Sequence, residues 1–167
     1  ASVDPPGGKL LRNADGTLNG ILLENAMALI DQVIPPLKGT RLQELLKQTQ
    51  QHLLSLGITC VHDFDGLECL EALKALEANG ELYLRVCKNL PGNRIEEIAQ
   101  CGYKSGVGSG HLRFGALKFF ADGALGPQSA AMLDPYEGST SRGLLQMDAD
   151  AVFEQGLHAT ELGWPLA

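Results

Sequence analysis

The stretch FGALKFFADGALG, residues 114–126, places a single lysine inside an otherwise apolar run. The run is too short for a typical helix and is closed by Ala121-Asp122-Gly123, so it reads as a strand covered on both faces, the pattern of a parallel sheet. Burying an unpaired ammonium costs several kcal/mol even after relaxation. Lys118 must therefore reach solvent, meet an anion, lose its proton or be chemically changed.

The segments on either side set the context for that strand. Upstream, KLLR (9–12) and TLNGILLE (17–24) flank Asn13-Ala14-Asp15-Gly16, whose Asp-Gly step predicts a hairpin at the start of the chain. A short helix is expected over 25–33, and Pro35-Pro36 marks a linker. Thr40 and Gln43 have the spacing of a capping box at the head of a leucine-rich helix that Gly57 ends. ITCVHD then reads as a strand, Leu67–Asn79 as a helix stopped by Gly80, LYLRVC as a strand and Arg94–Cys101 as a short helix. No periodic segment is visible between Ala121 and Gln146, a length that points to a functional connection. Asp148 is placed to cap a last helix over 149–162, and Trp164–Ala167 reads as the first residues of another strand.

Alternation of helix and strand predicts an α/β fold with a parallel sheet, because each pair of parallel strands needs a crossover. A doubly wound sheet and a (β/α)₈ barrel both fit, and in either one the chemistry gathers at the C-terminal ends of the strands.

Composition narrows the function. The 167 residues carry a formal charge of -7, and no cluster of Lys and Arg offers the basic surface that nucleic acid requires. No apolar run approaches the roughly 20 residues of a membrane helix, and no secretory leader is expected. Cys60, Cys69, Cys87 and Cys101 are scattered without a C-x-x-C pair, so reduced thiols and a cytoplasmic location are expected.

Three places at strand ends are candidates for chemistry. Lys118, with Asp122 behind it, is either a satisfied strand lysine, a Schiff-base lysine or a lysine carboxylated to a metal-bridging carbamate. His62 and Asp63 end ITCVHD, where strand alternation sends their side chains to opposite faces, so at most one enters a given pocket. The glycines of Asp122-Gly123-Ala124-Leu125-Gly126 permit close backbone approach or simply make a turn. Other motifs carry less. Gly106, Gly108 and Gly110 precede a strand where a nucleotide fingerprint precedes a helix, His52 and His158 lack an H-E-x-x-H partner, and Ser129 lacks a G-x-S-x-G elbow.

DPPGGKLLRNADGTLNGILLENA, LGITCVHDFDG, LKFFADGALGPQSAAMLDPYEG and RGLLQMD, taken in order, resemble the middle of the amidohydrolase superfamily, in the branch of N-substituted formamide deformylase-like enzymes. The resemblance implies a metal-dependent hydrolase of non-peptide carbon–nitrogen bonds on a (β/α)₈ barrel. It places Lys118 as the carboxylated lysine that bridges two divalent ions, zinc being the expected metal. It also implies an amide-like small-molecule substrate, with His62, Asp63, Asp122, Gln128 and Arg142 available to the pocket and Tyr136 as a further polar contact. Residues 1–39 then form a hairpin and linker, and 40–167 a partial barrel holding strands two to four, with Trp164 opening strand five.

The family's H-x-H pair is absent from this sequence, and its later histidines and aspartate would fall past Ala167. The resemblance therefore implies a central segment that is inactive and metal-free by itself, with Lys118 unmodified and open sheet edges that favour self-association. A stand-alone α/β binding or interaction module with a non-catalytic Lys118 is the alternative, and an imine-forming, aldolase-like enzyme is a third reading.

Overall fold

A computed structural model describes residues 3–167. Two compact units make up the chain, residues 1–35 with 120–152 and residues 36–119 with 153–167.

The second unit is built on a parallel sheet. Its elements are α2 (Gly39–Ser55), β3 (Cys60–Asp63), α3 (Leu67–Ala78), β4 (Arg85–Pro91), α4 (Ile95–Gln100) and β5 (Leu112–Lys118), and most of α5 (Ala149–Glu161) joins them. The strand order is β3-β4-β5, parallel throughout. Beyond β5, residues 165–167 run alongside it: Leu117 N donates to Pro165 O, Ala167 N to Leu117 O and Phe119 N to Ala167 O, at 2.9, 2.9 and 3.0 Å. Leu117 and Leu166 form a parallel bridge there, so the strand expected at Trp164–Ala167 is present in short form. One face of the sheet packs on the helices through Leu70, Leu73, Leu76, Val86, Leu90 and Leu117. The alternating helices and strands thus give the α/β class.

Glycine ends three of the helices by one device. After α3, Gly80 N donates to Glu77 O at 2.9 Å and Glu81 N to Leu76 O at 2.8 Å, the Schellman pair, with Gly80 at a φ of 69°. Equivalent pairs close α2 at Gly57 and α5 at Gly163.

Two local expectations need correction. The capping box does not form, because α2 begins at Gly39 with Lys38 as its N-cap; Thr40 lies inside the first turn, and no side chain caps the helix. The strand expected over LYLRVC starts three residues later, at Arg85. Buried Gln50 of α2 takes the backbone ahead of it: its Oε1 accepts from Tyr83 N and Leu84 N at 2.9 and 3.4 Å, and its Nε2 donates to Glu81 O at 2.7 Å.

In the first unit β1 (Gly8–Arg12) and β2 (Leu18–Glu24) form the expected antiparallel hairpin, closed by Asp15 Oδ1, which accepts from Thr17 N at 2.9 Å. The helix expected over 25–33 is reduced to a 3₁₀ turn, Asn25–Met27, and a single turn of α1, Ala28–Asp31. Nothing in α1 is buried, and a helix this short needs a packed face to propagate. The connection 120–147 has no helix or strand, yet it is knitted to the hairpin through Glu24. The Glu24 carboxylate accepts from Ser129 Oγ and, at 2.9 Å, from Gln146 Nε2. Asp148 caps α5 as expected, its Oδ1 accepting from Ala151 N at 2.8 Å.

Candidate functional site

The side of the β3-β4-β5 sheet away from the helices lines an open cleft of about 590 Å³, with His62, Phe64, Cys87, Asn89, Arg113 and Gly115 on its walls. Strand alternation explains most of the set, although Phe114 and Ala116, next to the irregular part of β5, also touch the cleft. Cys60 and His62 of β3, Cys87 and Asn89 of β4, and Arg113 and Gly115 of β5 are residues two apart, whereas Val86, Lys88 and Leu90 face the helices and are buried.

Lys118 is outside the lining of this cleft but is turned to the same side of the sheet, beside Phe64, by an irregularity in the β4–β5 ladder. Lys88 pairs with Phe114 and Leu90 with Leu117, so β5 spends three residues where β4 spends two. The extra residue reverses the alternation. Leu112 and Phe114 lie on the helix side; after the irregularity that side is taken by Leu117, with no exposed surface, and Lys118 is turned the other way. Its Nζ lies 5.8 Å from the centroid of the Phe64 ring, within the range of a cation–π contact. The strand expected to be covered on both faces is packed on one face only, and its lysine is half-buried at the C-terminal end.

Asn89 sits at the irregularity, 3% exposed. Its Oδ1 accepts from Ala116 N at 2.9 Å, and its Nδ2 donates to Asp63 O and Cys87 O at 3.4 and 3.3 Å. Gly115 leaves room for it: a Cβ at that position would stand 2.5 Å from Asn89 Oδ1.

His62 and Asp63 part as alternation requires. His62 is exposed on the cleft, and Asp63 faces the helices, where its Oδ1 accepts from the ammonium of Lys88. Lys88 has no exposed surface and also donates to Asp65 O. Lys88, not Lys118, is the fully buried lysine among the described residues, and composition alone does not mark it. Its signal was the alternation of Val86, Lys88 and Leu90 in phase with one another. Next to the pair, burial and the negative charge of Asp63 push the Cys69 thiol up to about 12. Asp63, Asp65 and Cys69 form the one trio of potential metal ligands among the described residues, with ligand atoms within 4.8 Å of one another. The Lys88 ammonium already neutralises Asp63, so a metal ion would have to displace it.

The other candidates belong to the first unit. Asp122 organises its own loop, its Oδ2 accepting from Ala131 N at 2.8 Å and its carbonyl from Gln146 Nε2 at 3.2 Å. Gln128 is exposed at a φ of 56°, Arg142 is exposed, and the Tyr136 hydroxyl donates to Ala130 O at 2.9 Å. No trio of His, Cys, Asp or Glu gathers at Lys118 among the described residues. The groups present there do not by themselves enclose a metal ion.

Comparisons with known proteins bear on the family and the fold. The chain is 29% identical over 153 residues to "Putative amidohydrolase YtcJ" of Bacillus subtilis (strain 168), an alignment covering 88% of this chain and 28% of that protein. It is 25% identical over 177 residues to Protein LONG AFTER FAR-RED 3 of Arabidopsis thaliana, covering 98% of this chain and 30% of that one. The fold matches crystal structures titled as uncharacterized metal-dependent hydrolases. That from Pyrococcus furiosus has a TM-score of 0.75 and 28% identity over 93% of this chain and 34% of its own. That from Pyrococcus horikoshii OT3 has a TM-score of 0.77 and 26% identity over 94% and 33%. The chain thus spans about a third or less of the relatives it matches. No helix among the described residues is long and apolar enough to cross a membrane. The profile of the amidohydrolase family matches residues 1–167, and this chain belongs to that family.

Proposed function

We propose that this chain is the central part of a metal-dependent hydrolase that cleaves non-peptide carbon–nitrogen bonds in small amide-like substrates, in the manner of N-substituted formamide deformylases. The observation that carries the reading is the placement of Lys118, half-buried at the C-terminal end of a parallel strand and turned to the cleft side, in a chain matched to the family along its whole length. In this reading β3, β4 and β5 are strands two to four of a (β/α)₈ barrel, and residues 165–167 open the fifth. The stand-alone module is not favoured, since the family profile covers residues 1–167.

Lys118 contributes a ligand only after a change of charge. As an ammonium it repels divalent cations. Carbon dioxide adds to the neutral ε-amine, a nitrogen–carbon bond forms, the proton leaves to water, and the product is an anion able to hold cations. Zinc is the metal of this reading, and such ions lend Lewis acidity and a lowered pKa to bound water. The remaining ligands come from parts of the barrel outside these 167 residues, so this segment by itself is inactive, with Lys118 unmodified. Its open β3 edge favours self-association. The connection 121–146, with Gln128, Tyr136 and Arg142 as its polar groups, contributes to substrate selection, and the protein works in the cytoplasm.

The test is made on the protein at its natural length. Lys118→Ala is expected to abolish hydrolysis and lower bound zinc, with intact-mass analysis of the parent showing one added carbon dioxide at Lys118. Full activity and full metal content in the variant would remove the assignment.

A further inference from the structure

We infer that Asn89 is a positioning residue: it holds the extra residue of β5 that turns Lys118 away from the helices and toward the cleft. The inference deepens the proposed role of Lys118 and rests on it for its bearing on catalysis, whereas the structural part stands on geometry alone.

In a regular ladder the partner of Leu90 would be Ala116, and Lys118 would share the helix-facing side with Leu112 and Phe114. That side is apolar apart from Lys88, whose charge is already matched by Asp63. A second lysine there would be an uncompensated buried cation. The observed ladder avoids this with one added residue, but an irregularity leaves a backbone group without its strand partner, and a buried unpaired N–H is costly. Asn89 supplies the missing acceptor to Ala116 N, and its amide nitrogen ties the same side chain to the backbones of β3 and β4. One buried side chain thus joins three strands at the point where the alternation reverses. The absence of a Cβ at Gly115 is what lets the amide approach.

The test combines amide hydrogen exchange with amine labelling. In Asn89→Ala the Ala116 amide is expected to exchange at least about tenfold faster, the loss of roughly one hydrogen bond, while amides of α2 keep their protection. Asn89→Asp retains the acceptor for Ala116 N, although its second oxygen faces the Asp63 and Cys87 carbonyls, and is expected to restore protection at Ala116 in part. A merely space-filling role predicts no such rescue. In a chain lacking Ala116 the ladder becomes regular, and acetylation of Lys118 relative to Lys104 is expected to fall at least about tenfold, as a side chain leaves solvent. Unchanged exchange at Ala116 in Asn89→Ala overturns the inference, as does undiminished labelling of Lys118 in the folded deletion variant. If that variant does not fold, the exchange comparison of the Ala and Asp variants decides. In the metal-loaded natural protein, Asn89→Ala is expected to lower kcat more than it raises KM. Should Lys118→Ala keep full activity while the exchange results hold, the catalytic reading fails and the structural one stands.

Discussion

Lys88 and Asp63 face each other from neighbouring parallel strands at the same level of the ladder, and the ammonium of Lys88 is sealed from solvent against the Asp63 carboxylate. The pair lies on the helix side of the sheet, away from the cleft. Two charges here replace what elsewhere in this layer is aliphatic packing, and their value depends on both being present. Removing one partner of a buried pair typically costs about 3–5 kcal/mol, whereas replacing both with apolar groups can be neutral. Lys88→Met is therefore expected to lower stability by about that amount, and Lys88→Met with Asp63→Leu by much less. Urea unfolding of the single and double variants measures the difference; equal losses in both would show that the charges do not act as a pair.

Cys69 gives a pH signature. Its thiol is held up to about 12 by burial and by the negative charge of Asp63, against an ordinary value of 9.0. Above pH 9 the unfolded chain loses this proton while the folded chain keeps it, so the folded state binds more protons. Stability contributed by the site is full below pH 9 and declines as pH rises toward 12. Cys69→Ala is expected to flatten that part of the stability profile, and thiol reagents at pH 8 are expected to reach Cys60 and Cys101, both exposed, well before Cys69. Reaction of Cys69 at the rate of Cys101 would contradict its placement.

Glu24 holds an unusual backbone conformation, φ 51° and ψ −128°, which suits glycine better than glutamate. Such strain costs on the order of 1–3 kcal/mol and persists when the surroundings compensate. Here the compensation is the carboxylate that receives Ser129 Oγ and Gln146 Nε2. Glu24→Ala loses the acceptor and keeps the strain; Glu24→Gly loses the acceptor and relieves it. The glycine variant should be the more stable of the two by about 1 kcal/mol. Thermal unfolding that ranks alanine at or above glycine would remove the strain argument.

Gly115 is a further sensitive position. Alanine there would set its Cβ 2.5 Å from Asn89 Oδ1 and 2.8 Å from Cys87 Sγ. Gly115→Ala is expected to destabilise by about 1–3 kcal/mol through overpacking. Combining it with Asn89→Ala should cost less than the sum of the two, because the variants disturb one contact. Strict additivity in a double-variant cycle would separate them.

Much of the fold was legible because its signals are local. Asp15-Gly16 announced the hairpin, Asp148 the start of α5, and Gly57, Gly80 and Gly163 the ends of three helices. Each is a short-range arrangement of turn or cap. What escaped depended on partners far along the chain. Gln50 displaced the start of β4 by binding backbone more than thirty residues away. Lys88 found Asp63 across a helix, and Glu24 found Ser129 across more than a hundred residues. Lys118 stood out because its strand was expected to be covered on both faces, whereas the structure packs that strand on one face and leaves the lysine half-buried. An added residue in a strand leaves no mark in composition, and strict alternation counted from Leu112 assigns Lys118 to the wrong side.

Because the parity of β5, held at its irregularity by Asn89, decides which way that lysine points, the third strand of the sheet should be intolerant of indels out of proportion to its tolerance of most substitutions. Gaining or losing one peptide unit between Phe114 and Leu117 would invert every side chain downstream to Phe119, exchanging a greasy residue for a charged one without altering the identity of either. Frameshift-like damage of this kind is geometric, and repairing it would take a second length change in the same strand.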